Sequence, residues 1–393
     1  MRRLRSLASA AAVLAATLCA AESARADQMD PAIERLTKPF VYKDASGNSI
    51  TVNDPTTGQP TCTKGPGRQF YGNVTPTIVV GCAPDNVAFA RLINQYAMAI
   101  APNAMHSART TGYGSFHLSI EGAYTTIDNG ADYWKNGTQG PQNPVSKNFS
   151  IRNESPSSML QVYSLKVRKG FPFGLEVGAQ VGYLYQSSIV TGGADIRMSL
   201  LEGFRKGALG ILPDIAVGGG VRTISGTPEF NLTVVGVDAQ ISKQLPIADS
   251  SILTPYVGYQ YLWIFGDSGL VSPSPNTDPL GYCGYRGPNV PGNPDPGDPA
   301  AKRPGKGFYD GQPVCSNGGS PLAFNNAVVF DNVRLVRQRF IIGMNYRYEL
   351  LFIGGQFMTD VSAPEDAGGR DNKEKLAGVP RQTTLVFELG ALF

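Results

Sequence analysis

The sequence predicts an all-β fold: a transmembrane antiparallel up-and-down barrel of about 10 strands, with 12 as the alternative, behind a small N-terminal region of helix and loop. Three observations predict it. From Gly114 onward apolar residues recur at every second position in segment after segment, the period of a strand with two unlike faces. The chain opens with an export address yet holds no run of about 18 apolar residues that could cross a bilayer as a helix. Its last stretch, Thr383 to Phe393, alternates and stops on an aromatic side chain. A closed barrel is the non-helical structure that satisfies its own backbone in lipid.

The export address comes first. Met1-Arg2-Arg3-Leu4-Arg5 is basic, Leu7 to about Ala21 is rich in Ala and Leu, and Ala24-Arg25-Ala26 supplies small residues for cleavage. These are the parts of a secretory signal peptide, residues 1–26, leaving Asp27 as the mature N-terminus. Ala16-Thr17-Leu18 before Cys19 fits a lipoprotein signal poorly.

Composition narrows the class. The 17 Tyr and 18 Phe suit the aromatic girdles of a barrel, and a net charge of +3 is too small to argue for nucleic acid. Cys62, Cys82, Cys283 and Cys315 survive signal removal, an even set in an exported protein, so two disulfides are expected. Four cysteines allow three connectivities, of which sequence proximity favours Cys62–Cys82 and Cys283–Cys315. No metal is expected, since neither pair has zinc spacing and the only histidines are His106 and His117. No cofactor is expected either; Gly218-Gly219-Gly220 lies inside a strand, where glycine marks a bend or a close approach more often than a phosphate site.

Residues 27–113 form a separate region without barrel alternation. A Gly/Pro/Thr-rich stretch leads to a short β-branched run at Thr77-Ile78-Val79-Val80. Then Phe89, Leu92, Ile93, Tyr96 and Ile100 fall on one face of a helix over 86–100, with Asp85 as N-cap and Pro102 as stop. This helix is expected either to plug the barrel or to pack in the periplasm against its mouth.

The strands follow, within 114–393. Strand one, 114–126, sets Phe116, Leu118, Ile120 and Tyr124 against His117, Ser119 and Glu121. Further alternating segments are expected at 159–169, 173–186, 190–202, 214–223, 230–243, 252–266, 334–348 and 350–361, before the closing strand. Three long connections remain: 127–157, 267–327 and 363–378. With the C-terminus in the periplasm, an even count puts all three on the outer side, where such barrels carry their long loops. A hairpin hidden in 267–327 would give 12 strands and keep that parity.

The polar faces point inward by this alternation. They carry Glu121, Lys166, Arg168, Glu176, Asp195, Arg197, Arg222, Asp238, Arg337, Arg339, Arg347 and Glu388. Such a set could line a cation-rich passage for anionic solutes. The favoured reading is that it fills a narrow lumen, since arginine bridges carboxylates with two hydrogen bonds and a barrel of about eight strands is just wide enough for its own side chains.

The alternating end Leu385-Phe387-Leu389-Ala391-Phe393 resembles the closing strand of outer-membrane β-barrel proteins, and Phe387, Leu389 and Phe393 resemble the insertion signal read by their assembly machinery. The topology as a whole resembles that broad class, including an uncharacterised set of myxobacterial type. The resemblance implies outer-membrane lipid and the insertion machinery as partners, and a bacterial outer-membrane location. It implies first a small channel or passive transporter of unknown solute. The second expectation is a structural or adhesive surface protein acting through the 267–327 loop, and the third an outer-membrane hydrolase. Enzymatic activity is not expected. The omptin proteases place a histidine and acids at the outer rim, and outer-membrane phospholipases use a Ser–His pair. Here His117, Ser119 and Glu121 offer one weak coincidence at the wrong end of strand one. Ala101-Pro102-Asn103-Ala104 shares only composition with the N-terminal motif of the long-chain fatty-acid transporters.

Overall fold

The computed structural model describes residues 27–39, 82–104, 106–141, 153–202, 212–248, 250–271 and 329–393, with the backbone of four short β segments between 42 and 80. Residues 1–26, Cys62, Cys283, Cys315 and most of the 267–327 loop lie outside the described residues, and Cys82 is described only as backbone. The export segment and both disulfide pairings are therefore not addressed by the described structure.

Ten strands form one ring: β1 Phe116–Thr126, β2 Met159–Gly170, β3 Leu175–Leu184, β4 Val190–Leu201, β5 Asp214–Ser225, β6 Phe230–Ser242, β7 Ser251–Ser268, β8 Val333–Tyr348, β9 Leu351–Asp360 and β10 Thr383–Leu392. Each pairs antiparallel with the next, and β10 pairs with β1 from Thr384↔Thr125 to Leu392↔His117. The choice between 10 and 12 strands is resolved by β7 and β8. They pair without a break from Gly266↔Val333 to Ser251↔Tyr348, so the connection between them inserts no strand into the wall. A short strand, Leu245–Ala248, folds back on the start of β7.

Alternation decides which face each side chain takes. Ile120, Val177, Ile196, Val237, Ile342 and Phe387 lie on the outside and are exposed, while the residues between them are mostly buried. An apolar belt right round a protein far exceeds the patch size of a soluble monomer, and it suits lipid. The three longest connections, β1–β2, β7–β8 and β9–β10, lie at one end of the ring, the long-connection end, together with the brief β3–β4 and β5–β6 turns; the opposite, short-turn end carries the β2–β3, β4–β5, β6–β7 and β8–β9 connections. In the tight β2–β3 turn both Phe173 and Gly174 take positive φ.

Three helices complete the fold: α1 Asn86–Ile100, α2 Asp132–Gly137 and α3 Gly369–Leu376. Asp85 caps α1, its Oδ1 accepting from the Ala88 amide at 3.1 Å. Helix α1 stands inside the ring near the long-connection end, touching β1, β2, β6, β7 and β8. The segment from Asp27 lies at that end: the Met29 amide donates to Gln186 O in the β3–β4 turn at 2.9 Å. The chain that follows α1 then runs through the other half of the lumen to the start of β1, with Pro102 and Ala104 met by Gln260 and Gln240 and the Ala108 amide by Ser242. Helix α1 and the segment ahead of β1 lie inside the ring, the chain doubling back through it before β1 begins.

Candidate functional site

The lumen has two storeys. In the half near the long connections, the inward wall is apolar: Leu160, Val162, Leu232, Val234, Leu262, Ile264, Leu335 and Val386 are all buried. They meet Phe89, Leu92, Ile93, Tyr96 and Ile100 of α1, which are buried too. Phe89 stacks on Phe330 and meets Phe230 edge-on, with ring centroids at 4.6 and 6.4 Å. Gly266 lets Ile93 reach the wall, since a Cβ there would sit 2.7 Å from Ile93 Cγ2. This half is an ordinary hydrophobic core wrapped in a sheet.

Polar groups on α1 are met one by one. Gln95 Oε1 accepts from the Trp134 indole at 2.5 Å and from the Asp128 amide at 3.0 Å, and its Nε2 donates to Tyr133 Oη at 2.8 Å. Arg337 donates to Asn94 Oδ1 of α1 at 2.7 Å and pairs with Asp360, tying helix, β8 and β9 together.

The other storey is a charged belt around the chain that follows α1. Lys166 Nζ lies 3.5 Å from Glu121 and donates to Asn103 O at 3.1 Å, while Asn103 Nδ2 donates to Glu121 Oε1 at 2.7 Å. Arg222 meets Asp195 at 2.8 Å and Arg197 meets Asp238 at 3.2 Å. Arg168 meets Glu388 at 3.0 Å, and Ser119 Oγ donates to the same carboxylate at 2.5 Å. His106 and the Thr111 amide share Glu176, at 3.0 and 2.9 Å. Arg339 reaches carbonyls at the C-terminus of α1, Met98 O at 3.4 Å and Pro102 O at 3.1 Å, where a cation complements the helix dipole.

Of the sequence-predicted set, Glu121, Lys166, Arg168, Glu176, Arg197, Arg222, Arg337, Arg339 and Glu388 are thus buried inside, and Asp195 and Asp238 pair there. Arg347 instead stands exposed at the short-turn rim. Phe387, Leu389 and Phe393 lie exposed on the outer wall or at its edge. Five carboxylates of the belt, Glu121, Glu176, Asp195, Asp238 and Glu388, face five cations, Lys166, Arg168, Arg197, Arg222 and Arg339. The charges balance, which suits a filled space rather than a field for one sign of solute.

Sequence reasoning missed the neutral partners. Gln180, Gln240 and Gln260 hold Arg222, the Ala104 carbonyl and Arg339, at distances from 2.6 to 2.8 Å. The inward glutamines at matched heights were the available signal. His117 and Ser119 do not hydrogen-bond each other: Ser119 serves Glu388, and both ring nitrogens of His117 are buried without a hydrogen-bond partner. Among the described residues no group of three or more His, Cys, Asp or Glu gathers as a metal site.

A closed antiparallel ring of ten strands, apolar outside and sealed where β10 meets β1, decides the class of architecture. It is that of an outer-membrane β-barrel. No protein-family model matches this barrel's sequence, nor does any curated protein. Among solved structures, the barrel is similar to the attachment invasion locus protein Ail of Yersinia pestis, at 10% identity over 72% of this chain and 100% of that one, with a TM-score of 0.23. It is similar to the translocator domain of the autotransporter NalP from Neisseria meningitidis, at 11% identity over 78% and 96%, with a TM-score of 0.31. It is also similar to the outer membrane protein Omp33 of Acinetobacter baumannii, at 8% identity over 72% and 100%, with a TM-score of 0.22. Likeness at this level concerns the fold alone.

At the long-connection mouth two carboxyl groups meet. Glu229 Oε2, in the β5–β6 turn, accepts from the Ile33 amide at 3.0 Å. Burial, and then the neighbouring Glu34 carboxyl, push the Glu229 carboxyl up to about 9. Arg35 Nε stands 3.5 Å from Glu34 Oε1, yet burial still raises Glu34 as well. Glu229 thereby clasps the N-terminal segment to the barrel rim through the Ile33 amide.

Proposed function

We propose that this barrel is a sealed outer-membrane protein that works through the surface at its long-connection end, which faces outward, and not by passive conduction. The observation that carries it is the dry core around α1. Five buried side chains, Phe89, Leu92, Ile93, Tyr96 and Ile100, must return to water if the helix leaves. At about 1.5–3 kcal/mol each this costs roughly 8–15 kcal/mol. Spontaneous expulsion would then leave on the order of one molecule in a million open, at about 1.4 kcal/mol per tenfold. The polar belt supports the same reading, since its side chains satisfy the backbone of segment 101–113 in place of water. This reading favours the structural or adhesive alternative, with α2 and α3 at the outer face.

The experiment is single-channel recording of the refolded mature protein in a planar bilayer, beside a variant lacking residues 27–111. The intact barrel is expected to stay silent and the shortened one to conduct. Steady conductance of the intact protein would sink the sealed reading and restore the channel. A second arm measures attachment of whole cells displaying the protein to host-matrix polymers with and without residues 272–328. Unchanged binding would show that this connection is not the working surface.

A further inference from the structure

At the short-turn end the lumen opens into a cavity of about 70 Å³ beneath the charged belt. Two kinds of group converge on it. Arg109, Arg168 and Arg347 line it, and so do two polar side chains left without hydrogen bonds, Thr111 and His117. The Thr111 hydroxyl and both His117 ring nitrogens are buried and unpaired, and His117 as a residue is 1% exposed. Burying such groups unpaired costs about 1–3 kcal/mol apiece, so something is expected to answer them.

The acids nearby are already engaged. Glu176 serves His106 and the Thr111 amide, and Glu388 serves Arg168 and Ser119. Glu202 takes the Thr110 hydroxyl at 2.8 Å and lies 3.8 Å from Arg109. His117 Nδ1 stands 3.9 Å from Glu388, beyond hydrogen-bond reach. Arg347 has no carboxylate within ion-pair distance among the described residues, and it stands exposed at the cavity's edge. The imidazole is held edge-on by Phe352, with ring centroids at 4.9 Å, and a Cβ at position 390 would come within 2.9 Å of its Nε2. The ring is therefore fixed, and its unpaired nitrogens cannot swing elsewhere for a partner.

We infer that this vestibule is a binding site for a small oxyanion, a carboxylate or a phosphate group, held by Arg347 and Arg109 at the rim and by His117 and Thr111 within. Charge-assisted hydrogen bonds from arginine suit both anions, and a fixed N–H and hydroxyl would select the geometry. The site faces away from the proposed outer working surface, so the two stand or fall separately.

The test uses the refolded full mature chain in detergent micelles. Inorganic phosphate and, separately, acetate are titrated at constant pH and ionic strength, and the imidazole signals are followed by NMR. Only His106 and His117 contribute, which makes assignment simple. A saturable shift of the His117 signals is expected with at least one anion, weakened roughly tenfold or more in Arg347→Gln, whose side chain is exposed and whose loss should spare folding. Thr111→Val should weaken it several-fold. Saturation by phosphate alone would assign a phosphate-bearing ligand, and by acetate alone a carboxylate. No saturable shift with either anion would overturn the site and leave a water pocket only. So would a shift that Arg347→Gln leaves unchanged.

Discussion

Asp360 is the place where the plug, two strands and a loop depend on one carboxylate. Its Oδ2 pairs with Arg337 and accepts from the Gln382 amide at 2.6 Å, while Arg337 holds Asn94 of α1 at 2.7 Å. Arg337 is 0% exposed and Asp360 3% exposed. Asp360→Ala strips a buried guanidinium of its counter-charge, a change that costs about 3–5 kcal/mol. The orphaned Gln382 amide adds about 1–3 kcal/mol, for a total of roughly 4–8 kcal/mol. Removing both charges together should cost far less. Arg337→Met with Asp360→Leu fills similar volume and buries no charge, so it is expected to recover most of the loss. The assay is reversible urea unfolding of the refolded barrel, read by fluorescence. The chain has two tryptophans. Trp134 lies against Tyr96 of α1, with ring centroids at 5.0 Å, and reports the plug, whereas Trp263 stands on β7 and reports the wall. A single Asp360→Ala loss below about 1 kcal/mol, on a scale where buried pairs cost several, would refute the view that this pair anchors the helix.

The clasp at the mouth should respond to pH. Because Glu229 is raised to about 9, the folded form holds its proton more tightly than the unfolded chain does. Its contribution is complete below the unfolded value of 4.5 and declines as pH rises toward 9 and beyond. Glu229→Gln keeps an acceptor for the Ile33 amide without that titration. Its N-terminal segment should resist protease better than wild type at pH 9 and about equally at pH 5; equal cleavage at pH 9 would count against the clasp. Gly220→Ala should cost about 1–3 kcal/mol, because the new Cβ would overlap Asp195 Oδ1 and press on Pro102 at 3.1 Å; urea midpoints check this. Phe393→Ala leaves the backbone pairs to Phe116, at 2.8 and 2.9 Å, in place. A drop in assembled barrel in cells, with in vitro refolding unchanged, is expected if the side chain is read during insertion; unchanged assembly would discard that role.

The wall was legible because lipid and lumen impose opposite chemistry on alternate residues. Segments such as Leu175 to Tyr183 and Phe340 to Tyr348 announce both their length and their outward face. The fate of the N-terminal region was less legible. Strict alternation fades where a strand is apolar on both faces, as at Leu262-Trp263-Ile264-Phe265 in β7, with Leu262 and Ile264 turned inward and buried. A strand buried on both sides reads as a continuous apolar run. In β7 that run lies at the end of the ring where α1 packs. The charged set could be placed by parity alone, yet its meaning could not. What it serves is the main chain of 101–113, and hydrogen bonds to carbonyls such as Ala104 O and Pro102 O leave no trace in side-chain pattern. The short helices α2 and α3 were likewise absorbed into loops, being 6 and 8 residues long, too short for periodicity to speak.

The doubling back of segment 101–113 constrains biogenesis. The peptide that precedes β1 occupies the bore, with its own beginning at the opposite mouth. Once β10 has zipped to β1, no gap remains through which a helix as bulky as α1 could be drawn past the belt. Closing the seam around an N-terminal segment already in place avoids drawing the folded α1 past the belt. A curling sheet that meets its first strand only after wrapping this mandrel would use the plug as a template for circumference, and a chain deprived of it would have to find its ring size unaided.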